Sequence, residues 1–380
     1  MKKICYVITL PLTVKAFFVQ QLKYLSQNGY DVSVICSYDK EMKNIFGKDV
    51  HYIPVEIPRG VSFFGTIVVI KKLLQIFKKE KFDLVQYSTL NASFCASIAA
   101  TVCKVKIRNY HVMGFRYQAE KKVKRCLFKI IDKVPCLLST SIECVSKSNM
   151  TEQVEAGFID KNKTTVVWNG SSGGVNTERF CFASRKKWRT EIREKLGYRD
   201  NDFVFGFVGR ITRDKGVNEM LEAFMSLSEN AKLLIVGYNE GIDTLNKDLL
   251  KKAYSNPNII FHDAVSDVER FYAAMDILVL PSYREGFGNV IIEAAAVGTP
   301  AIISKISGPT DAVLSGKTAI EVAPKSVSEL KKAMKKIISR EIILEPCVCA
   351  KFVKENFDEK ELCKKILERK KELFDDLDCK

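Results

Sequence analysis

One stretch of this sequence decides the fold, and it reads Pro281-Ser282-Tyr283-Arg284-Glu285-Gly286-Phe287-Gly288-Asn289-Val290-Ile291-Ile292-Glu293. It follows the short apolar run Ile277-Leu278-Val279-Leu280, which predicts a buried strand. Gly286 and Gly288 predict a tight turn in which the backbone approaches a ligand closely. Residues 289–297 then predict a short helix that is apolar almost all round and therefore buried.

The two carboxylates of this stretch, Glu285 and Glu293, are eight residues apart. If the segment were wholly helical, the two carboxylates would be separated by roughly 12 Å. Such a separation suits binding to two parts of one elongated ligand better than contact with a single reacting atom. The predicted helix N-terminus at Asn289 lies between them, and its free N–H groups and dipole favour phosphate. A sugar, a diphosphate and a ribose would fit along the loop in that order. The alternative is a glycine turn with a capping glutamate.

On both sides of a Gly/Ser-rich stretch, residues 169–176, strand-like apolar runs alternate with helical segments. This alternation predicts an α/β fold of two Rossmann-like domains, each with a parallel sheet covered on both faces. The chain has 380 residues, 47% of them hydrophobic, which is enough for two cores. We expect a first domain over 1–168, a second over 169–355 and a C-terminal helix within 356–380.

A second glycine loop follows the predicted strand 203–208. It begins with Gly209-Arg210 and ends with Lys215-Gly216. Open α/β sheets bind ligands beyond the carboxyl ends of their strands. Two fixed cations there match a diphosphate, because Arg offers a fork of donors and Lys a point charge. Either cation alone would more simply be part of a basic surface loop.

Taken together, these motifs resemble the retaining glycosyltransferases of family 4, whose GT-B fold has two Rossmann-like domains facing across a cleft. The resemblance rests on Gly209-Arg210, Lys215-Gly216, Glu285-x7-Glu293, Phe271-Tyr272-Ala273-Ala274-Met275-Asp276 and Gly298-Thr299-Pro300. The linker residues 170–176 look like those of the bacterial polysaccharide branch, which makes capsules and O-antigens.

The resemblance also implies roles for single residues. In the family, residues like Arg210 and Lys215 hold the donor diphosphate, the first Glu contacts the sugar and the second binds ribose hydroxyls. The implied donor site comprises Gly209, Arg210, Lys215, Gly286, Phe287, Gly288, Asn289, Val290 and Glu293. The implied catalytic residues are Glu285, Arg210, Lys215 and His111. The C-terminal helix is expected to return to the first domain.

Two departures from the family concern the first domain. Many members carry Gly-Gly in the first loop, where this chain has Thr9-Leu10-Pro11-Leu12-Thr13. Many have His-Gly near the sugar, where this chain has Met113-Gly114, with His111 two residues earlier. Alternation along a strand would put His111 on the same face as Met113 if the strand continues. The alternative for His111 is a structural role in the core.

The net charge of +15 is concentrated in residues 1–168, which hold 26 Lys+Arg and 13 Asp+Glu. Residues 121–133 combine a basic face with an apolar one, a pattern typical of a helix lying on anionic lipid. Lys71-Lys72 and residues 78–81 add a second basic cluster. We expect a cytoplasmic protein that is peripheral on the inner face of a bacterial cell membrane; the alternative is simple solubility. No RNP-like motif or zinc finger indicates nucleic-acid binding.

Neither a cofactor nor a metal ion is expected. The triplets Asp200-Asn201-Asp202 and Asp376-Leu377-Asp378 lie in a polar turn and in the charged tail, and we interpret both as solvated surface. The twelve cysteines lack zinc-site spacing and the three histidines are few, so reduced, packed thiols of a cytosolic protein are expected. No Gly-x-Gly-x-x-Gly follows a predicted strand, which disfavours a NAD dehydrogenase.

The leading hypothesis is a metal-independent transferase that moves a hexose or N-acetylhexosamine from a nucleotide sugar, expected to be a UDP-sugar, to a lipid-linked glycan in surface polysaccharide synthesis. Two alternatives stay open. A UDP-sugar 2-epimerase would share the fold and the donor but need no acceptor. A non-enzymatic basic module would bind phospholipid or nucleic acid.

Overall fold

The computed structural model describes residues 1–58, 60, 63–119, 122–227 and 231–378. Its internal contacts divide the chain into two units. The first unit comprises Met1–Gly174 with Glu359–Lys380, and the second comprises Val175–Asp358. The sequence placed the corresponding boundaries after residues 168 and 355, so the first boundary lies six residues later in the structure and the second lies three residues later.

The first unit is a seven-stranded sheet covered by helices. In chain order its elements are β1 Lys3–Val7, α1 Pro11–Phe17, α2 Val19–Gln27, β2 Asp31–Cys36, α3 Met42–Phe46, β3 His51–Pro54, α4 Phe63–Glu80, β4 Leu84–Tyr87, α5 Leu90–Val102, β5 Ile107–Val112, α6 Lys122–Leu138, β6 Ser141–Cys144, α7 Lys147–Glu155, β7 Thr164–Thr165 and a C-terminal helix, Glu359–Asp378. The strands pair in parallel in the order β3-β2-β1-β4-β5-β6-β7, so the order reverses between β1 and β4.

Side chains along β1 alternate between two cores, one on each face of this sheet. Cys5 and Val7 join the core beneath α4, α5 and α6. Ile4 and Tyr6 join the opposite core, to which α2 and the C-terminal helix contribute. The C-terminal helix buries the apolar side chains that the sequence places along one of its faces, namely Leu362, Ile366, Leu367 and Phe374.

The second unit is a six-stranded sheet. Its elements are α8 Arg185–Lys195, β8 Phe203–Val208, α9 Val217–Met225, β9 Ala231–Val236, α10 Lys247–Tyr254, β10 Ile259–His262, α11 Val268–Ala274, β11 Ile277–Leu280, α12 Asn289–Ala296, β12 Ala301–Ser304, β13 Ala319–Val322, α13 Val327–Ile338 and α14 Pro346–Asn356. The strands are parallel in the order β10-β9-β8-β11-β12-β13, and this order reverses between β8 and β11. The α/β prediction of two Rossmann-like units with parallel sheets is therefore confirmed.

The basic run over residues 179–195 predicts a helix from its first residue, but in the structure α8 begins only at Arg185. The side-chain oxygen of Asn176 accepts hydrogen bonds from the backbone N–H groups of Glu178 and Arg179 at 3.1 and 2.9 Å. Such a local turn competes with helix formation, which explains the later start.

Two further features concern the helices and the cysteines. Among the helices in the described residues, none combines the length and the apolar character that a bilayer crossing requires. Every cysteine in the described part of the chain is a free thiol.

Candidate active site

Lys215 and Glu285 meet at the carboxyl edge of the second sheet. Lys215 lies in the loop after β8 and Glu285 in the loop after β11, and these strands are neighbours where the strand order reverses. The Lys215 Nζ lies 2.5 Å from Glu285 Oε1, and Ser282 Oγ donates to the same oxygen at 2.8 Å. The two charged side chains are only 18% and 12% exposed. The structure thus pairs two residues that the sequence predicted separately, in the crevice where open α/β sheets bind ligands.

A second cluster of charges borders this pair around Asp214. The Asp214 Oδ2 lies 3.1 Å from Arg284 Nη2 and 3.8 Å from Arg210 Nη2, and Thr212 Oγ1 donates to Asp214 Oδ1 at 2.5 Å. Burial opposes ionisation of Asp214, but the Thr212 hydroxyl and the neighbouring cations hold its pKa below the usual range. Arg210, at 47% exposed, is the most accessible cation of the cluster. No role was predicted from the sequence for Asp214 or Arg284; the signal present there was the Arg-x3-Asp spacing in the loop.

Glycines set how closely the loops of this site approach one another. Gly216 has a φ of 72°, and a Cβ built on it would lie 2.0 Å from the backbone oxygen of Pro281. A Cβ on Gly237 would lie 1.7 Å from the backbone oxygen of Gly209. Because these neighbours are backbone atoms, only glycine fits at either position.

Replacing Gly216 by alanine should lower the free energy of unfolding by more than ~2 kcal/mol, because the left-handed conformation costs ~1–2 kcal/mol and the clash with Pro281 adds to it. Gly316→Ala is the matched control, since Gly316 also has a φ of 72° but nothing within 4 Å of its added Cβ. Urea unfolding of both variants measures the difference. Equal losses of stability would show that the two loops are not in close contact in solution.

Two contacts fix the loop between Glu285 and the start of α12: one through the Phe287 side chain and one through the backbone near Gly308. Gly288 precedes the helix with a φ of 98°. The Phe287 ring is buried against Phe357, with ring centroids 5.4 Å apart. A Cβ on Gly308 would lie 2.9 Å from the carbonyl oxygens of both Glu285 and Gly286. Phe287 therefore holds the loop with its side chain, which leaves only its backbone for the ligand contact predicted from the sequence.

Glu293 lies in α12, apart from the Lys215–Glu285 pair. Its Oε2 accepts a hydrogen bond from the Tyr272 hydroxyl at 2.9 Å. Burial raises the pKa of Glu293, while the Tyr272 hydroxyl and the positive charge of Arg179 act in the opposite direction. The two glutamates thus have different partners. That they bind different parts of a ligand stays a prediction. Tyr272 belongs to a motif quoted from the sequence, but its role as partner of Glu293 was not foreseen.

His111 lies in the first unit, near the carboxyl end of β5. It is buried, its Nδ1 lies 3.1 Å from Ser88 Oγ, and its ring packs edge-on against Phe18 at 5.5 Å. β5 ends at Val112, so the strand does not continue to Met113. Met113 nevertheless packs against the core that contains Phe18, the residue that the His111 ring contacts, so both side chains face the same core.

The first loop of the chain, which lacks the glycine pair common in the family, is held by threonine hydroxyls. Thr9 Oγ1 lies 2.7 Å from Thr89 Oγ1, which also accepts from the Thr9 backbone N–H at 3.1 Å. Thr89 has a φ of 68°, a strained value for a β-branched residue. This pair lies beyond β1 and β4, where the strand order of the first sheet reverses.

Metal ligands were expected to be absent. In the ranges that the structure describes, no three His, Cys, Asp or Glu side chains come together as a metal site would require. Asp202 is buried and accepts from the Arg199 backbone N–H and Nε at 2.9 and 3.2 Å, so the prediction of a solvated side chain is wrong there. The Asp378 side chain lies outside the described residues. Metal independence stays a prediction.

Both halves of the chain match models of known protein families. Residues 3–138 match the family described as "Glycosyl transferase 4-like", and residues 189–354 match "Glycosyl transferases group 1". The second match contains Arg210, Lys215, Glu285 and Glu293.

Individual proteins are similar over most of the chain. The capsular polysaccharide biosynthesis glycosyltransferase CapM of Staphylococcus aureus is 32% identical over 329 residues, which cover 86% of this chain and 85% of CapM. The UDP-Gal:alpha-D-GlcNAc-diphosphoundecaprenol alpha-1,3-galactosyltransferase of Escherichia coli is 26% identical over 317 residues, 80% of each chain. Among solved structures, Anabaena HepE in complex with UDP-glucose has a TM-score of 0.80 at 17% identity, over 98% of this chain and all of that one.

Proposed function

Since this chain belongs to the family of group 1 glycosyltransferases that contains capsular polysaccharide enzymes, we propose that it is a retaining hexosyltransferase using a UDP-sugar. It would move a hexose or N-acetylhexosamine to a lipid-linked glycan acceptor. The observation that carries the proposal is the Lys215–Glu285 pair, bordered by Arg210, at the point where the strand order reverses. Cations and a carboxylate at this crevice suit a donor with a charged diphosphate and a polar sugar.

The donor is proposed to lie along the second sheet's carboxyl edge. Lys215 and Arg210 would bind the diphosphate, Glu285 the sugar hydroxyls and Glu293 the ribose. The complex of Anabaena HepE with UDP-glucose supports a UDP-linked donor, as does the name of the Escherichia coli relative, which specifies UDP-Gal. That relative's name also specifies a sugar on diphosphoundecaprenol, which supports a lipid-linked acceptor.

The proposed reaction proceeds by attack on the same face of the sugar. The bond between the anomeric carbon and the diphosphate oxygen breaks, and the acceptor hydroxyl oxygen bonds to that carbon. The acceptor proton passes to an oxygen of the leaving diphosphate. Lys215 stabilises the charge that develops on this group. Glu285 already accepts from Lys215 and Ser282, which weakens it as a nucleophile and favours this route over a covalent glycosyl-enzyme intermediate.

Tyr272→Phe should weaken UDP binding a few-fold at neutral pH, by about 1 kcal/mol, because Glu293 loses one hydrogen bond. The loss should grow as the pH falls. Ionised Glu293 accepts hydrogen bonds from ribose hydroxyls more strongly than its protonated form, which has less acceptor capacity. Without the Tyr272 hydroxyl the raised pKa of Glu293 rises further, so protonation begins at higher pH. Calorimetry with UDP over a pH series measures this. The exposed Tyr254→Phe is the matched control, and identical pH dependence in both variants would remove Tyr272 from the donor site.

A membrane surface is proposed as the place of the acceptor. Apolar side chains are exposed at the start of α4 and along α6, namely Phe63, Phe64, Val68, Val123, Leu127 and Ile130. Basic residues accompany them, namely Lys71, Lys72, Lys124, Arg125 and Lys129. The two helices flank α5 on one face of the first sheet. Exposed apolar side chains among cations support docking on anionic lipid at the inner face of the cell membrane.

Phe63→Ser combined with Phe64→Ser should weaken binding to phosphatidylglycerol vesicles about tenfold or more, because two exposed rings can no longer enter the lipid. Sedimentation with vesicles measures the affinity. Ile343→Ser, which removes an exposed apolar side chain from the second unit, should bind like the wild type. Equal binding of the double variant and the wild type would place the contact elsewhere.

The overall proposal is tested by titrating the protein with UDP, NAD and single-stranded RNA, followed by incubation with a panel of UDP-sugars. We expect binding of UDP alone and slow donor hydrolysis that releases UDP. Release of a 2-epimerised sugar would instead support the epimerase alternative. Binding of RNA without UDP would support the basic binding module.

A further inference from the structure

Two ion pairs lie side by side between the loop after β8 and the loop after β11. The first loop carries Asp214 followed by Lys215, and the second carries Arg284 followed by Glu285. The Asp214 Oδ2 lies 3.1 Å from Arg284 Nη2, and the Lys215 Nζ lies 2.5 Å from Glu285 Oε1. The order of the charges is reversed from one loop to the other, so each of the four residues faces its opposite charge.

This pattern of charges fits only one alignment of the two loops. A shift by one residue in one direction would place Asp214 opposite Glu285, and a shift in the other direction would place Lys215 opposite Arg284. Both shifts bring like charges together, which is unfavourable. The backbone has the same alignment, because the Tyr283 N–H donates to the Asp214 carbonyl oxygen at 2.9 Å. The charges thus specify how the two loops face each other.

The two ion pairs differ in what else they do. In the proposed function Lys215 binds the diphosphate and Glu285 the sugar hydroxyls, so the ligand engages both members of that pair. Asp214 and Arg284 are each 32% exposed and have no contact with the ligand in the proposed function. An ion pair this accessible to water contributes little to the free energy of unfolding. Its effect is therefore expected in the geometry of the site rather than in the stability of the fold.

We propose that Asp214 and Arg284 are positioning residues for glycosyl transfer: their ion pair keeps the two loops aligned while the ligand engages Lys215 and Glu285. The cation for the diphosphate and the carboxylate for the sugar then keep the separation that one donor molecule requires. A displacement of about 1 Å between such groups can slow a reaction on the order of 10²-fold. The inference rests on the proposed function, because it requires a nucleotide sugar that binds across these two loops.

Three variants separate the ion pair from the charges of its members, namely Asp214→Ala, Arg284→Met and the double variant. The measurements are kcat with a UDP-sugar and calorimetry with UDP. The value of kcat should fall about tenfold or more in all three variants, by similar factors, because each variant loses the same ion pair. The affinity for UDP should instead follow the charge. It should be highest in Asp214→Ala, intermediate in the double variant and lowest in Arg284→Met.

Two comparisons assign the effect to the ion pair. Arg284→Met leaves the hydrogen bond from Thr212 to Asp214 intact, so equal losses of kcat in the two single variants exclude that bond as the cause. Glu191→Ala is the matched control, because it removes a 2.7 Å ion pair with Arg270 whose members are 40% and 36% exposed. Its kcat should equal that of the wild type.

Three results would overturn the inference. Wild-type kcat in all three variants would show that the ion pair does not position the site. Changes of kcat in opposite directions in the two single variants would indicate a simple effect of charge. A fall of kcat in Arg284→Met and the double variant, but not in Asp214→Ala, would make Arg284 a ligand contact.

Amide hydrogen exchange tests the alignment of the loops without any substrate. The Tyr283 N–H should exchange several-fold faster in Asp214→Ala and in Arg284→Met than in the wild type, because the loops separate more often. Glu191→Ala should not change this rate. Unchanged exchange in both single variants would contradict the proposal even if kcat falls. A wild type that neither binds UDP nor transfers sugar would refute the proposed function, whereas the exchange rates would still report on the ion pair.

Discussion

A Glu285→Gln variant should bind UDP at least as tightly as the wild type and transfer sugar on the order of 10²-fold more slowly, or worse. In the proposed site Glu285 positions the sugar, and its charge is offset by Lys215 at 2.5 Å. Glutamine keeps the shape and the hydrogen bond from Ser282 but loses the strong acceptor that fixes the sugar hydroxyls. Removal of the anion also leaves Lys215 free to attract the diphosphate. Steady-state turnover and calorimetry with UDP separate the two effects.

Glu321→Gln is the control for this experiment, because Glu321 lies on the edge strand β13 of the same sheet and pairs only loosely with Lys305, at 3.9 Å. It should leave both turnover and UDP affinity close to wild-type values. If Glu285→Gln turns over like this control, the carboxylate does not contact the sugar and the proposed orientation of the donor is wrong.

Lys215→Ala should weaken UDP binding by ~1.5–3 kcal/mol, or roughly 10- to 150-fold, because one charge-assisted contact to the diphosphate is lost. The loss of UDP affinity should lie at the upper end of this range, because Glu285 is left as an uncompensated anion beside the ligand. Arg210→Ala should lie at the lower end, because Arg210 is 47% exposed and its charge is screened by solvent.

A double-mutant cycle measures how strongly Lys215 and Glu285 interact when UDP binds. Lys215→Ala combined with Glu285→Gln should recover part of the lost UDP affinity, because the repelling carboxylate is also gone. Lys332→Ala, an exposed lysine on α13, is the matched control for the loss of one positive charge. Strict additivity of the two single changes would show that Lys215 and Glu285 do not interact in solution, and unchanged UDP affinity in both Lys215→Ala and Arg210→Ala would move the diphosphate site elsewhere.

The sequence was most informative where local pattern and tertiary role coincide. The strands 203–208 and 277–280 are found as predicted, and the helix predicted over 289–297 is found as Asn289–Ala296. Both strands are buried apolar runs bounded by glycine or proline loops, a signal that does not depend on distant residues. The alternation of such elements was enough to predict two Rossmann-like units.

Elements without an apolar pattern were missed. Helix α7, Lys147–Glu155, was not predicted, because its sequence is polar and two of its buried side chains are Asn149 and Gln153. The spacing of apolar residues identifies amphipathic helices, but it gives no signal for a helix whose buried side chains are amides. The short strand β3, His51–Pro54, was missed for a similar reason: it lies at the edge of the sheet with no fully buried residue.

The candidate site was predicted as a set of residues, and their partners came only from the structure. Lys215 and Glu285 are 70 residues apart, and each was assigned its own contact with the ligand. In the first unit, Lys370 of the C-terminal helix donates to Glu143 of β6 at 2.9 Å across 227 residues, and no role was predicted for either residue. Such pairs depend on which helix covers which strand, and this information is not present in local spacing.

Proton NMR of the reaction product decides whether the protein transfers sugar from a UDP-sugar with retention. The protein is incubated in buffer containing EDTA with a UDP-sugar of known anomeric configuration and a lipid-linked glycan acceptor. We expect release of UDP and a new glycosidic bond whose anomeric configuration equals that of the donor. A product with the opposite anomeric configuration, or a 2-epimerised sugar without a glycosidic bond, would contradict it.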